Sequence, residues 1–177
     1  MLDYAVTLEF DRETKARIQA LIDAVADATG CDYMKKAKIP PHVTLSALVS
    51  DREAELISET ENLAKAMCKG KVQFANIGVF NPLVIYLGPV MNEYLLCACK
   101  AVNERLLQFA DVGNWGRYLP YRWVPHAGIA VKLTPEALKT AFAIVQENFT
   151  AFEATAERLI LARAEPYEEL GAWSLRD

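Results

Sequence analysis

The sequence predicts a duplicated α+β fold in which one strand–helix–strand–helix–strand unit occurs twice, with a single histidine in each copy. Two observations carry this. The chain has only two histidines, and they stand in matching phrases, Pro41-His42-Val43-Thr44-Leu45 and Pro125-His126-Ala127-Gly128-Ile129. The strand-like and helix-like segments around each phrase also follow the same order, with one extra strand at the end.

Residues 2–10 alternate with the period of a half-buried strand: Tyr4, Val6, Leu8 and Phe10 share one face. Asp11 is placed to cap a helix that carries Ile18, Leu21, Ile22 and Val25 at helical spacing, and Gly30 to stop it. A loop with Lys35, Lys36, Lys38 and a Pro40-Pro41 pair leads into the first histidine strand, residues 42–49. Ser50 or Asp51 caps a second helix, which runs to about residue 69 until Gly70 ends it. Residues 72–80 form a third strand. The second unit opens with a strand at 83–90 and a helix from Asn92 to about residue 109, buried through Leu95, Leu96, Cys99, Val102, Leu106 and Phe109. An aromatic and basic loop holds Trp115, Arg117, Tyr118, Tyr121, Arg122 and Trp123. The second histidine strand is expected over 124–133. Thr134-Pro135-Glu136 is a strong helix start, combining a cap, a proline at the first position and an acid in the first turn. That helix ends near Asn148, and strands at 152–164 and 169–175 close the chain. The Asn81-Pro82 turn is the candidate boundary between lobes of about 1–81 and 82–177 within one bilobal domain.

Hydrophobic residues make up 53% of the chain and charged residues 24%, a globular balance. The longest uncharged run, residues 72–92, is broken by Gln73, Asn76, Asn81, Pro82, Gly88 and Pro89, so no membrane span is expected. Met1-Leu2-Asp3-Tyr4 carries no basic region or small-residue cleavage site, so no signal peptide is expected. Cys31, Cys68, Cys97 and Cys99 form no Cys-x-x-Cys pair and read as buried free thiols in a reducing cytoplasm; no metal site is expected. A net charge of −4 disfavours a grip on long nucleic acid; if the chain handles nucleotides, the partner is a small nucleotide or an RNA terminus.

Residues two apart on a strand share a face. His42, Thr44 and Ser46 therefore face one way, and His126, Gly128, Ala130 and Lys132 share a face in the second strand. Pro-His-Val-Thr-Leu resembles the His-x-Thr-x motif of the two-histidine (2H) phosphoesterase superfamily, which includes RNA 2′,5′-ligase-like proteins and cyclic nucleotide phosphodiesterases. The likeness spans nearly the whole chain in element order and rests on the two short motifs in residues.

The resemblance implies two antiparallel sheets lining a central groove, with helices packed outside, termini free to cross between lobes, and the histidines facing each other. It implies metal-free and cofactor-free chemistry on 2′,3′-cyclic phosphates or 2′,5′-linked RNA and nucleotides. His42 and His126 become general acid and base, and Thr44 a donor to a non-bridging phosphate oxygen. The second motif departs from the pattern: Gly128 stands where threonine is expected, leaving only a backbone N–H. A lost donor of this kind costs about 10²–10³ in rate. The alternative is therefore a nucleotide-binding module of the same fold with weak or lost activity. Arg122 and Lys132 are candidates for a compensating cation. Tyr121 and Trp123 are candidates for stacking a base, Ser46 for a further polar contact, and Gly128 for making room for a ligand. A compact duplicated chain is expected as a monomer without membrane contact.

Overall fold

The computed structural model describes residues 1–80 and 83–177. The Asn81-Pro82 turn lies outside the described residues. Among the described residues, eight strands form one sheet: β1 (Leu2–Phe10), β2 (His42–Ser50), β3 (Gly70–Phe80), β4 (Val84–Pro89), β5 (Asp111–Val112), β6 (Ala127–Ala130), β7 (Phe152–Arg163) and β8 (Glu168–Ser174). All these pairings are antiparallel, in the order β5-β2-β1-β7-β3-β4-β6, with β8 beside β7. The path β2-β1-β7 is mirrored by β6-β4-β3. The third strand of each sequence unit has crossed to the other: β3 pairs β4, and β7 pairs β1. The long β7 joins the two halves, because its free edge is divided between β3 near Phe152 and β8 near Arg163. The sheet curls until β2 and β6, far apart in strand order, touch.

Four longer helices among the described residues cover the sheet: α1 (Arg12–Thr29), α3 (Glu53–Ala66), α4 (Glu93–Leu106) and α5 (Pro135–Asn148), with one turn, α2 (Tyr33–Lys36), before β2. They pair crosswise, α1 with α5 and α3 with α4, under the same mirror relation as the strands. The Asp11 carboxylate accepts from Thr14 N at 2.9 Å and from Thr155 N at 2.8 Å, so the cap of α1 also pins it to β7. Gly30 closes α1 in the left-handed conformation, φ 71°. Asn92 and Thr134 cap α4 and α5 through Leu95 N and Ala137 N.

Tyr4, Val6, Leu8 and Phe10 are buried as the alternation requires. Thr7 and Glu9 on the opposite face are buried as well, because β1 is an inner strand covered on both sides. Glu9 is neutralised there by Lys15 and Arg158, each at 2.8 Å.

Several boundaries differ from the sequence reading. Arg52, not Ser50 or Asp51, precedes α3; the Ser50 hydroxyl instead accepts from Arg52 N and donates to Phe109 O, closing the turn. Gly70 opens β3 rather than ending a helix, and the ring of Tyr94 lies where a side chain at 70 would stand, 2.3 Å from an added Cβ. β6 is four residues long, so His126 precedes the strand instead of lying within it. Cys99 is buried, but Cys68 and Cys97 are exposed, contrary to the expected burial.

Candidate active site

His42 opens β2, and His126 stands one residue before β6, so the contact between these strands brings both rings to one groove of about 620 Å³. The two rings are held alike. His42 Nδ1 lies 2.7 Å from Pro40 O, and His126 Nδ1 lies 2.8 Å from Val124 O. A carbonyl only accepts, so each Nδ1 carries the proton, and in the neutral ring Nε2 is left as the free base. The proline before each histidine fits this device: it favours extended backbone in the residue ahead of it, and the carbonyl two positions upstream of the histidine then meets the ring.

Burial holds both imidazoles below their ordinary value, against the opposing pull of the carbonyls. Repulsion from His42 lowers His126 further. The surroundings of the two rings differ. His126 is boxed by aromatic rings: Phe80 edge-on at 4.8 Å, Tyr86 at 5.4 Å and Tyr118 at 6.0 Å. Phe80 and Tyr86 stack on each other at 4.3 Å.

The groove also has a polar lining. Thr44 lines the groove from β2, and Asn114, Arg117, Tyr118 and Arg122 line it from the loop after β5. Among the described residues, no carboxylate lines it. Neither arginine makes an ion pair with a described acidic residue. A chain of net charge −4 thus concentrates two guanidinium groups, without described acidic partners, beside two histidines. That arrangement attracts an anion and can hold it by paired N–H donors. Gly128 also lines the groove, opposite Tyr86 across the β4–β6 ladder. Among the described residues, no three His, Cys, Asp or Glu side chains converge as a metal site.

His42, His126, Thr44, Gly128 and Arg122 are therefore brought together. Four other expected residues are not. Ser46 is fully buried beneath α4, where its hydroxyl donates to Asn103 Oδ1 at 2.9 Å. The cause is a bulge in β2: Thr7 pairs Thr44 and Val6 pairs Ser46, so Leu45 has no partner in β1 and the face alternation shifts. Lys132 lies beyond β6 with φ 60°, so it does not continue the His126 face. Its ammonium sits 3.8 Å from the Tyr33 ring centroid and 3.7 Å from Glu165. Trp123 is core, 6% exposed, and Tyr121 points to solvent under the ammonium of Lys100.

Asn103 of α4 was not singled out by the sequence reading. Its buried amide donates to Leu45 O at 3.1 Å, the carbonyl freed by the bulge, and to Tyr118 O at 3.2 Å in the arginine-bearing loop. The signal was a polar residue on the apolar stripe of α4, between Cys99 and Leu106.

The family model of the 2′-5′ RNA ligase superfamily matches residues 10–168. The chain belongs to the 2′-5′ RNA ligase superfamily. The likeness to two-histidine phosphoesterases read from the two Pro-His phrases is thereby borne out. Solved structures share the fold of this superfamily member at low identity. E. coli LigT complexed with 3′-AMP aligns with a TM-score of 0.63 and 14% identity over 99% of each chain. TT0787 of Thermus thermophilus aligns at 0.61 and 19%, over 99% of this chain and 98% of its own. A structure described as a phosphoesterase aligns at 0.63 and 14%, over 99% of both. No curated protein matches the chain in sequence. No described helix is long and apolar enough to cross a membrane.

Proposed function

We propose that this superfamily member is a metal-independent phosphoesterase acting on 2′,3′-cyclic phosphates or 2′,5′-linked bonds in small nucleotides or at RNA ends. The observation that carries the reading is the convergence of two histidines, each pinned through Nδ1, on an arginine-bearing groove with no described carboxylate. One neutral imidazole takes a proton from water as the water oxygen attacks phosphorus. The other, protonated, gives its proton to the ribose oxygen that leaves. One P–O bond forms as one breaks, and the pair keeps a single proton that has changed rings. With a 5′-hydroxyl in place of water attacking a 2′,3′-cyclic phosphate, the same proton relay forms a 2′,5′-bond as the bond to the 3′-oxygen breaks, which is ligation. Thr44 and Arg122 serve the non-bridging oxygens, where charge grows in the transition state. The presence of 3′-AMP in E. coli LigT supports a nucleotide-sized ligand for the shared fold. Four free cysteines support a reducing, cytoplasmic setting.

A second reading, a nucleotide-binding module without turnover, rests on Gly128, which removes one hydroxyl donor from the site.

The test is product analysis by chromatography. The purified protein, with EDTA present, is incubated with nucleoside 2′,3′-cyclic monophosphates and a short 2′,5′-linked oligonucleotide. Turnover that falls on the order of 10²–10⁴-fold in both His42→Ala and His126→Ala is the expected result. Loss of turnover in EDTA, or a dispensable histidine, refutes the mechanism. Ligand binding without product selects the second reading.

A further inference from the structure

The groove accommodates a small ligand, yet its rim carries a feature that such a ligand does not need. Trp115 is 80% exposed, on the loop whose Asn114 and Arg117 line the groove. Tryptophan in a soluble chain is ordinarily well covered. Here the backbone itself turns the residue outward, since Asn114 and Trp115 both take left-handed conformations, φ 46° and 52°. For a bulky residue that conformation is uncommon and unfavourable. The indole is not idle packing either. The Arg117 guanidinium lies over it, 5.1 Å from the ring centroid, and leaves the rest of the ring to solvent. The rim therefore presents an aromatic plate beside a cation with no described carboxylate partner, continuous with the groove that holds both histidines.

We infer that Trp115 and Arg117 form a subsite for the nucleotide next to the reacting one, and that the substrate is a single-stranded RNA end rather than a mononucleotide. The inference rests on the phosphoesterase reading and deepens it. Bases stack on an exposed aromatic ring whatever their identity, and a guanidinium beside that ring takes the intervening phosphate. Trp115 itself does not line the groove, so a mononucleotide held within the groove leaves the indole uncovered. A chain leaving the groove along the Arg117 wall covers it. Tyr121, also exposed at 79% with the Lys100 ammonium over its ring, repeats the pairing of aromatic and cation farther along the same loop.

The experiment compares Trp115→Ala with wild type on two substrates, 2′,3′-cyclic AMP and a trinucleotide ending in a 2′,3′-cyclic phosphate. The ratio of kcat/KM for trinucleotide over mononucleotide is expected to fall on the order of 5- to 150-fold, the range alanine substitution gives for a base stacked on an aromatic ring. Trp115→Phe should keep most of that ratio. An unchanged ratio overturns the inference. The same two proteins are titrated into a 5′-fluorescein tetranucleotide RNA, followed by anisotropy, so that the subsite is read even if the wild type cleaves nothing. A Kd raised by the same factor in Trp115→Ala supports the subsite independently of turnover. An equal Kd overturns it.

Discussion

Gly128→Thr restores the hydroxyl that the second histidine phrase lacks, and the structure says what it should do. A Cβ built on Gly128 meets nothing closer than Met34 Sδ at 3.8 Å and Met34 Cε at 3.9 Å, ordinary contact distances to a flexible side chain. The backbone there is not left-handed, so a β-branched residue is accommodated without strain. Tyr86, its cross-strand neighbour, leans over Gly78 instead, with its ring atoms 2.1 Å from where a Cβ at 78 would be. The added hydroxyl would stand two residues after His126, as Thr44 stands after His42. A single preorganised donor to a developing oxyanion is worth about 3–4 kcal/mol, or 10²–10³ in kcat. Arg117 and Arg122 already supply charge to this groove, which sets the expected gain near the lower end, about 10²-fold. Exchanging glycine for threonine in a strand also favours the fold by about 0.5–1 kcal/mol.

The assay is initial-rate kinetics on a 2′,3′-cyclic nucleotide over a range of concentrations, so that kcat separates from KM, with a melting curve beside it. A rise in kcat with unchanged or raised Tm identifies the natural protein as an enzyme lacking one donor. A fall in KM alone would mean that the hydroxyl binds substrate and transition state equally. A folded variant with wild-type kcat refutes the reasoning, because it shows that the loop arginines leave no charge for a threonine to stabilise.

Two other outcomes follow from the same geometry. The acid–base pair needs one proton on two rings whose values both lie below the ordinary 6.5, so kcat/KM should be bell-shaped with its maximum on the acid side of 6.5; a maximum well on the alkaline side contradicts this. Folding is linked with the corresponding sign. The unfolded chain takes up protons first, so the stability contributed by the neutral rings is complete above about 6.5 and is lost as pH falls through the depressed folded values. Urea midpoints should show this slope in wild type and much less of it in the double His→Ala variant. Asn103→Ala should cost about 1–3 kcal/mol, because it leaves the Leu45 and Tyr118 carbonyls to share the weak Cys99 thiol donor and takes the acceptor from the buried Ser46 hydroxyl, and it should raise KM by loosening the arginine-bearing loop; a urea midpoint within error of wild type contradicts it.

Much of this fold is legible because its elements announce themselves locally. The alternation of β1, the Asp11 and Thr134 caps and the apolar stripes of α1 and α4 need no knowledge of the partner elements. The two histidines are legible for a different reason: they are the whole supply of the chain and share a phrase. What was not legible depends on neighbours. Ser46 leaves the His42 face because one residue, Leu45, bulges, and a period-two argument cannot see a bulge that only the pairing with β1 reveals. Lys132 leaves the His126 face because β6 stops after four residues. Trp123 and Trp115 are near neighbours in one loop, yet one is core and the other is among the most exposed side chains. Composition cannot separate them, because the difference lies in the left-handed turn at Asn114 and Trp115.

Asn103 ties the bulge in β2 to the loop after β5. A bulge frees a carbonyl at Leu45, an irregular loop offers another at Tyr118, and neither has a ladder partner. A buried acceptor left unpaired is costly, so a donor must come from the packed helix above. The polar residue on the apolar stripe of α4 is that donor. Its position marks where regular structure holds an irregular segment in place. The irregular segment carries Arg117 and Arg122, so the groove's positive wall is positioned by a side chain that does not line it.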